Sequence, residues 1–253
     1  MTGERAPSAS FIRVTSSGSS DLKAEQSENF NLGIIFQATD DLDFKLDYWK
    51  VDYSDLITVE NAQGKVDNDR NGTDILRSAT GTLAGVNVDY FNSSNVDVGG
   101  LDFEANWSFN ESWTLGANIA RVLTYDITLP TGAVVDATGK FNGSNFARSL
   151  PETKGNMHLG WASGDKNANL NVNYVSSYKN GDDNVDSYTS VDAQYGMTFA
   201  TGIDDHNLSL SIGAKNLLDE EPPRVIDGAN YSFDPKQHSP IGRALYMKAN
   251  YQF

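Results

Sequence analysis

Apolar and polar residues alternate with a period of two along most of the 253 residues, and the runs are joined by connections that are alternately short and long. No apolar run nears the roughly 20 residues that a membrane helix needs. Together these features predict an all-β fold: a partial antiparallel transmembrane β-barrel of about nine meandering strands.

The strands follow in order. Phe30, Leu32, Ile34 and Phe36 share one face against Asn31, Gly33 and Gln37. Leu42, Phe44, Leu46 and Tyr48 then stand against Asp43, Lys45 and Asp47. Leu101, Phe103, Ala105 and Trp107 oppose Asp102, Glu104 and Asn106, and Trp113, Leu115, Ala117 and Ile119 oppose Thr114, Gly116 and Asn118. Met157, Leu159 and Trp161 make a fifth strand, and Leu170, Val172 and Tyr174 a sixth against Asn169, Asn171 and Asn173. The seventh places Val191, Ala193, Tyr195, Met197 and Phe199 opposite Asp192 and Gln194. The eighth has Leu208, Leu210, Ile212 and Ala214 against Ser209, Ser211 and Lys215. The last has Met247, Ala249, Tyr251 and Phe253 against Lys248, Asn250 and Gln252. Each is expected to run about ten residues, the length of a tilted strand crossing a bilayer.

A soluble sandwich would alternate in the same way, so the connections decide. Thr39–Asp41, Asn110–Ser112, Ser163–Asn167 and Thr201–His206 are short, and between them come the long stretches Ile57–Asp89, Asp126–Pro151, Lys179–Ser187 and Leu218–Ile241. Short periplasmic turns opposite long extracellular loops are the barrel pattern. Trp107, Phe109, Trp113, Trp161 and Phe199, with Phe36, cluster near the short turns, as expected of an interfacial aromatic girdle. Tyr53, Tyr90, Phe91, Tyr125, Tyr178 and Tyr188 fall at the long-loop ends and would form the second girdle.

Composition excludes several functions. A net charge of −15 opposes nucleic-acid binding, which depends on basic groups neutralising phosphates. With no cysteine there is no disulfide framework, thiolate metal site or cysteine nucleophile. No cofactor is expected. The first ten residues, Met1–Ser10, lack the apolar core of a secretory signal, so the chain is expected to be the later part of a longer exported protein.

Few residues suggest chemistry. Asp67, Asp69 and Asn71, followed by Gly72, match the opening of a calcium loop, but Ser78 stands where a bidentate Glu belongs, so the metal candidate is weak. His158, His206 and His238 are too scattered for a helical metal pair. No G-x-S-x-G elbow offers a nucleophile. Asp102 and Glu104 read as lining of a polar interior rather than as a hydrolase pair, and Asp182, Asp183, Asp186, Asp204 and Asp205 as turn residues. No catalytic residue is expected.

Several segments resemble one family. Arg5-Ala6-Pro7-Ser8, Leu22-Lys23-Ala24-Glu25 and Asn29-Phe30-Asn31-Leu32-Gly33 look like a stretch within the barrel of TonB-dependent receptors. Val98-Gly99-Gly100-Leu101-Asp102-Phe103-Glu104, Leu150-Pro151-Glu152-Thr153-Lys154-Gly155-Asn156 and Asn216-Leu217-Leu218-Asp219-Glu220-Glu221-Pro222-Pro223 resemble later barrel motifs, in the family's order. Gly242, Arg243, Tyr246, Tyr251 and Phe253 resemble its final strand, which the barrel-assembly machinery reads as a signal by strand addition.

The resemblance implies that residues 1–253 are the C-terminal portion of a receptor barrel, without the plug domain or the earlier strands. It implies an outer-membrane location in a Gram-negative bacterium, with membrane lipid and the assembly machinery as partners, and in the full-length protein a plug and the TonB complex. It further implies uptake of a scarce solute such as a siderophore, cobalamin or an oligosaccharide, and no enzyme activity. A different outer-membrane barrel of the porin kind and a secreted all-β carbohydrate-binding module are the alternatives. The module would pack its apolar faces sheet on sheet.

Overall fold

The structure, a computed structural model, describes residues 12–129, 131–141, 149–203, 206–225 and 232–253. In chain order its elements are β1 (Arg13–Ser17), β2 (Gln26–Thr39), β3 (Leu42–Val59), α1 (Ala62–Asn68), β4 (Ile75–Arg77), β5 (Leu83–Asn110), β6 (Trp113–Thr128) and β7 (Val134–Asp136). There follow β8 (Thr153–Ser163), β9 (Lys166–Val175), β10 (Tyr178–Asn180), β11 (Asp183–Val185), β12 (Tyr188–Ala200), β13 (Asn207–Lys215) and β14 (Ala244–Gln252). Among the described residues, nine of these form the path β2-β3-β5-β6-β8-β9-β12-β13-β14 of one open sheet, each strand beside its predecessor in that path. They are the nine strands the alternation predicts.

The chain divides into two compact units. The first comprises Met1–Glu28, Asp52–Val96 and Thr128–Val134. Here β1 pairs in parallel with Gly85–Asp89 of β5, and β4 pairs antiparallel with Leu83–Val86 of the same strand. Ile75, Val86 and Val88 are buried together, with Ile12, Ala62, Val66 and Leu83 packed against them. The seven-residue α1 begins at Asn61, whose side chain accepts from the Gly64 N–H at 2.7 Å and so satisfies one of the free amides of the first turn.

The second unit comprises Asn29–Val51, Asp97–Ile127 and Val135–Phe253. Its ladder is antiparallel throughout β6-β8-β9-β12-β13-β14, with pairs such as Leu115 with Leu159, Val172 with Val191, and Ile212 with Met247. The short turns are Asp40–Asp41, Glu111–Ser112, Gly164–Asp165 and residues 201–206, all within or beside the predicted positions. Gly164 has φ +56°, a left-handed conformation that costs glycine nothing.

Among the described residues no second layer covers the apolar side of this sheet. Leu32, Leu210 and Met247 are 60%, 38% and 78% exposed, and Phe103 is part-exposed. A sandwich would bury these side chains, so the carbohydrate-module alternative fails.

Two expectations need correction. Strand lengths of about ten residues hold for β8 and β9 but not for β3, β5 and β6, which run 18, 28 and 16 residues. Alternation marks only the stretch where one face meets an apolar medium. Backbone pairing continues past it, where apolar residues such as Val86 and Val88 of β5 and Ile127 of β6 are buried within the protein. The long connections are also not plain loops. Ile57–Asp89 contains α1 and β4, and Lys179–Ser187 folds into the β10–β11 hairpin.

Candidate functional site

The polar face of the second unit is a field of interlocked side chains. The Lys45 ammonium pairs with Asp47 at 2.9 Å, and the Asn106 amide donates to Glu104 at 3.1 Å and Asp43 at 3.3 Å. Asp102 and Glu104 line a concavity of about 500 Å³ with Lys45, Asp47, Asn118 and Asn156. These two carboxylates lie among lysines and amides on a sheet face.

Large side chains on this face lie over glycines. The Trp49 ring covers Gly100, where a Cβ would stand 2.7 Å from Trp49 Cζ2 and 2.6 Å from the Arg121 carbonyl. His158 lies over Gly116, and Tyr246 over Gly213. Strands carrying glycine therefore let a neighbour's ring lie flat on the backbone.

The apolar face has marked limits. At the turn end, Trp107, Phe109, Trp113 and Trp161 form a continuous series of rings, with centroid separations of 5.0, 6.2 and 6.2 Å. Phe199 is exposed near the turn that follows β12. At the other limit the same alternating rows become charged. Lys50 bonds Asp97 at 3.0 Å, and Arg121 bonds Glu152 at 3.3 Å. Between turn and ion pair the apolar row holds Leu42–Tyr48 on β3 and Trp113–Ile119 on β6, about 20 Å along each strand.

Tyr178 and Tyr188 do not belong to a second girdle. Both are buried, 2% and 9% exposed, within a knot of long-loop residues. Tyr178 packs with Val185, Val225 and Phe141. Its hydroxyl donates to the fully buried Asp234 carboxylate at 3.0 Å, and its oxygen lies 3.3 Å from His238 Nε2. Desolvation first, and the Asp234 charge second, push the Tyr178 hydroxyl well above the usual phenol range. No motif pointed to this knot, because Asp234 and His238 lie in a connection without periodicity.

The terminal segment is tied back to the end of β13. Asn216 adopts φ +47° and brackets the turn: its side chain accepts from the Glu220 N–H at 2.9 Å and donates to the Glu220 carbonyl at 2.8 Å. The Arg243 N–H donates to Asp219 at 2.6 Å and its guanidinium to the Leu217 carbonyl at 3.3 Å. Gly242 passes so close to Asp219 Oδ1 that a Cβ would stand 2.7 Å away. Tyr246 donates to Gln194 at 3.0 Å, Tyr251 meets His206 Nδ1 at 2.7 Å, and Phe253 is 91% exposed. Of the five residues singled out, Gly242 and Arg243 thus anchor the start of β14, Tyr246 lies on the polar face, and Tyr251 and Phe253 on the apolar one.

Asp67 lies in α1 and accepts from the Gln63 amide, Asp69 is the C-cap of α1, and the Asn71 N–H donates to Asp69 at 3.0 Å. Among the described residues no group of three or more His, Asp or Glu could hold a metal ion. His158, His206 and His238 occupy three separate places. Asp182, Asp183 and Asp186 fall in or beside the β10–β11 hairpin, while Asp204, Asp205 and the Arg5-Ala6-Pro7-Ser8 segment lie outside the described residues.

The family profile described as TonB dependent receptor-like, beta-barrel, matches residues 2–217. The chain belongs to that family. Its members are receptors and transporters, and the chain is not an enzyme. Among solved structures it is similar to the ferric enterobactin receptor of Pseudomonas aeruginosa in complex with BCV-L6, at 23% identity and TM-score 0.63, covering 92% of this chain and 32% of that one. It is also similar to the siderophore receptor PirA of Acinetobacter baumannii, at 19% identity and TM-score 0.63, covering 94% of this chain and 33% of that one. The copper transporter OprC matches at 13% identity and TM-score 0.57, over 91% of this chain and 32% of that one. At these identities the likeness speaks for the fold, and the chain spans about a third of each neighbour's length. No curated protein sequence matches the chain.

Proposed function

We propose that the chain is the C-terminal portion of the barrel of a TonB-dependent outer-membrane receptor. In that reading the complete protein takes up a scarce solute such as a siderophore, cobalamin or an oligosaccharide, and the TonB complex energises passage by displacing a plug. The observation that carries it is the nine-strand antiparallel path with an uncovered apolar face, bounded by a ring series at the turn end and by ion pairs at the other. Such a face suits hydrocarbon, and the polar face suits a plugged, hydrated interior. The rings Trp107, Phe109, Trp113, Trp161 and Phe199 would sit in the periplasmic interface of the lipid. The segment from Gly242 to Phe253 would be what the assembly machinery reads.

The open edges add a constraint. Because β2 and β14 are the first and ninth strands of an antiparallel path, they run in the same direction, so a complement that closes the sheet antiparallel must supply an odd number of strands. A receptor barrel of about 22 strands would need about thirteen. The test is the DNA upstream of the first codon, followed by growth of a deletion strain on limiting solute. The expected result is an in-frame plug and an odd strand complement, with growth on one solute class lost on deletion. A complete gene with no such complement, whose deletion alters no solute uptake, would refute the proposal.

A further inference from the structure

The loop knot contains a group that the uptake reading does not use. His238 is 5% exposed, its ring stacked near-parallel on Tyr178 at 6.3 Å and set edge-on to Tyr188 at 5.2 Å. The Tyr178 hydroxyl gives its proton to Asp234, so its oxygen is free to accept, and His238 Nε2 is the nitrogen facing it. That assigns the ring proton to Nε2 and leaves Nδ1 as a bare lone pair, buried and with no hydrogen-bond partner among the described residues. Asp234 itself is fully engaged: it accepts from Tyr178 and from the Lys236 N–H at 3.0 Å, and its carbonyl accepts from the His238 N–H at 3.0 Å. The knot ties residues 232–238 to Tyr178 of the β10–β11 hairpin. The same stretch reaches a further loop through the Gln237 amide, which donates to the Ser149 carbonyl at 2.6 Å.

We propose that His238 is an acid-sensitive latch: a proton added at Nδ1 puts a donor and a positive charge where no acceptor stands among the described residues, and so releases residues 232–238 from the hairpin. The neutral ring suits the site because its single N–H has a partner and its lone pair needs none. The imidazolium does not, since a buried unsatisfied donor carries its full desolvation cost.

The charged and titratable groups that face the ring are Asp234 from its own segment, Tyr178 from β10, Tyr188 from β12 and Lys154 from β8. Burial is the largest influence and lowers the His238 pKa; Asp234 raises it and Lys154 lowers it further. A histidine whose folded pKa is depressed contributes stability that is complete above its unfolded value, about 6.5, and lost as pH falls from there through the folded value. The latch is therefore shut at neutral pH and opens on acidification. It does not depend on which solute the receptor takes, so its failure and the failure of the uptake reading are separately visible.

The test uses the full chain in detergent micelles, with ring-labelled histidine; the sequence has only three. Nuclear magnetic resonance follows the ring of His238, and hydrogen exchange follows residues 178–185 and 232–238 from pH 7.5 to 4.5, corrected for the intrinsic pH dependence of exchange. The expected result is a His238 midpoint below 6.5 and a several-fold loss of protection in both segments with that same midpoint. In His238→Gln, whose amide can still donate to Tyr178, protection should be independent of pH. Should that variant not fold, Asp234→Asn serves: removing the carboxylate makes the imidazolium harder to form, and the release point moves to lower pH. A midpoint at or above 6.5, protection unchanged as the ring titrates, a full wild-type pH response in His238→Gln, or a release point unmoved in Asp234→Asn would overturn the proposal.

Discussion

Substituting Gly100 by alanine tests how the polar face is assembled. The new Cβ would meet the Arg121 carbonyl at 2.6 Å and the Trp49 ring at 2.7 and 2.9 Å. Carbon atoms rest about 3.5–4.0 Å apart, so the indole must retreat by roughly 0.8 Å. The carbonyl sits on the neighbouring strand β6, so its retreat strains the β5–β6 ladder. Overpacking of this kind costs about 1–3 kcal/mol, and with rigid groups on both sides the upper half of that range is expected. At a urea dependence of about 2 kcal/mol per molar, the unfolding midpoint in micelles should fall by roughly 1 M.

Two controls make the reasoning specific. Gly99→Ala meets its nearest atoms at 3.2 and 3.3 Å and should cost clearly less. In a Trp49→Ala background, Gly100→Ala should cost less than in the wild type, because one of its two obstacles is gone. A Gly100→Ala midpoint equal to wild type, or strictly additive effects with Trp49→Ala, would show that the ring does not rest on the strand as described.

Two further outcomes are expected. Asn216→Ala removes both bonds to Glu220 and leaves a residue with a Cβ at φ +47°, at a cost of about 2–3 kcal/mol; Asn216→Gly, which keeps the backbone at ease, should cost less by the same urea assay. In the first unit, Glu60 pairs with Lys65 and accepts from the Asp89 N–H at 2.9 Å, and chiefly the Lys65 bond holds its carboxyl below the usual range. A depressed carboxylate contributes stability above its unfolded pKa that is lost as pH falls through the folded value. Hydrogen exchange at residues 83–89 should therefore quicken below about pH 4.5, by the equivalent of less than about 1 kcal/mol for so accessible a pair, and not in Glu60→Gln.

How much was legible in the sequence follows from where water and hydrocarbon differ. Leu42 to Tyr48 or Trp113 to Ile119 alternate because their two faces meet different media, and such rows located all nine strands and their short turns. The short stretch Asn92, Ser93, Ser94 and Asn95 of β5 is polar on both sides, so its pairing left no periodic trace. Turn chemistry was visible in Asn216 to Asp219 only as a likeness to a motif; the left-handed φ values of +47° and +60° explain why those residue types stand there. The knot of Tyr178, Asp234 and His238 joins residues 60 positions apart through connections with no repeating pattern, which no local reading could bring together. Tyr178 and Tyr188 were misplaced for the related reason that a tyrosine near a strand end looks the same whether it faces lipid or packs into a loop.

In a barrel the two faces of the sheet meet lipid and water, and the absence of cysteine from the sequence makes that directly measurable. Single cysteines at Leu32, Phe103, Leu210 and Met247, and at Asp102, Glu104, Ser211 and Lys248, can carry a spin label in bilayers. The first four should be accessible to dissolved oxygen and shielded from a water-soluble nickel complex, and the second four the reverse, with the preference changing at every residue along a strand. Equal protection of the first four from both reagents would place them in a protein core and contradict the barrel.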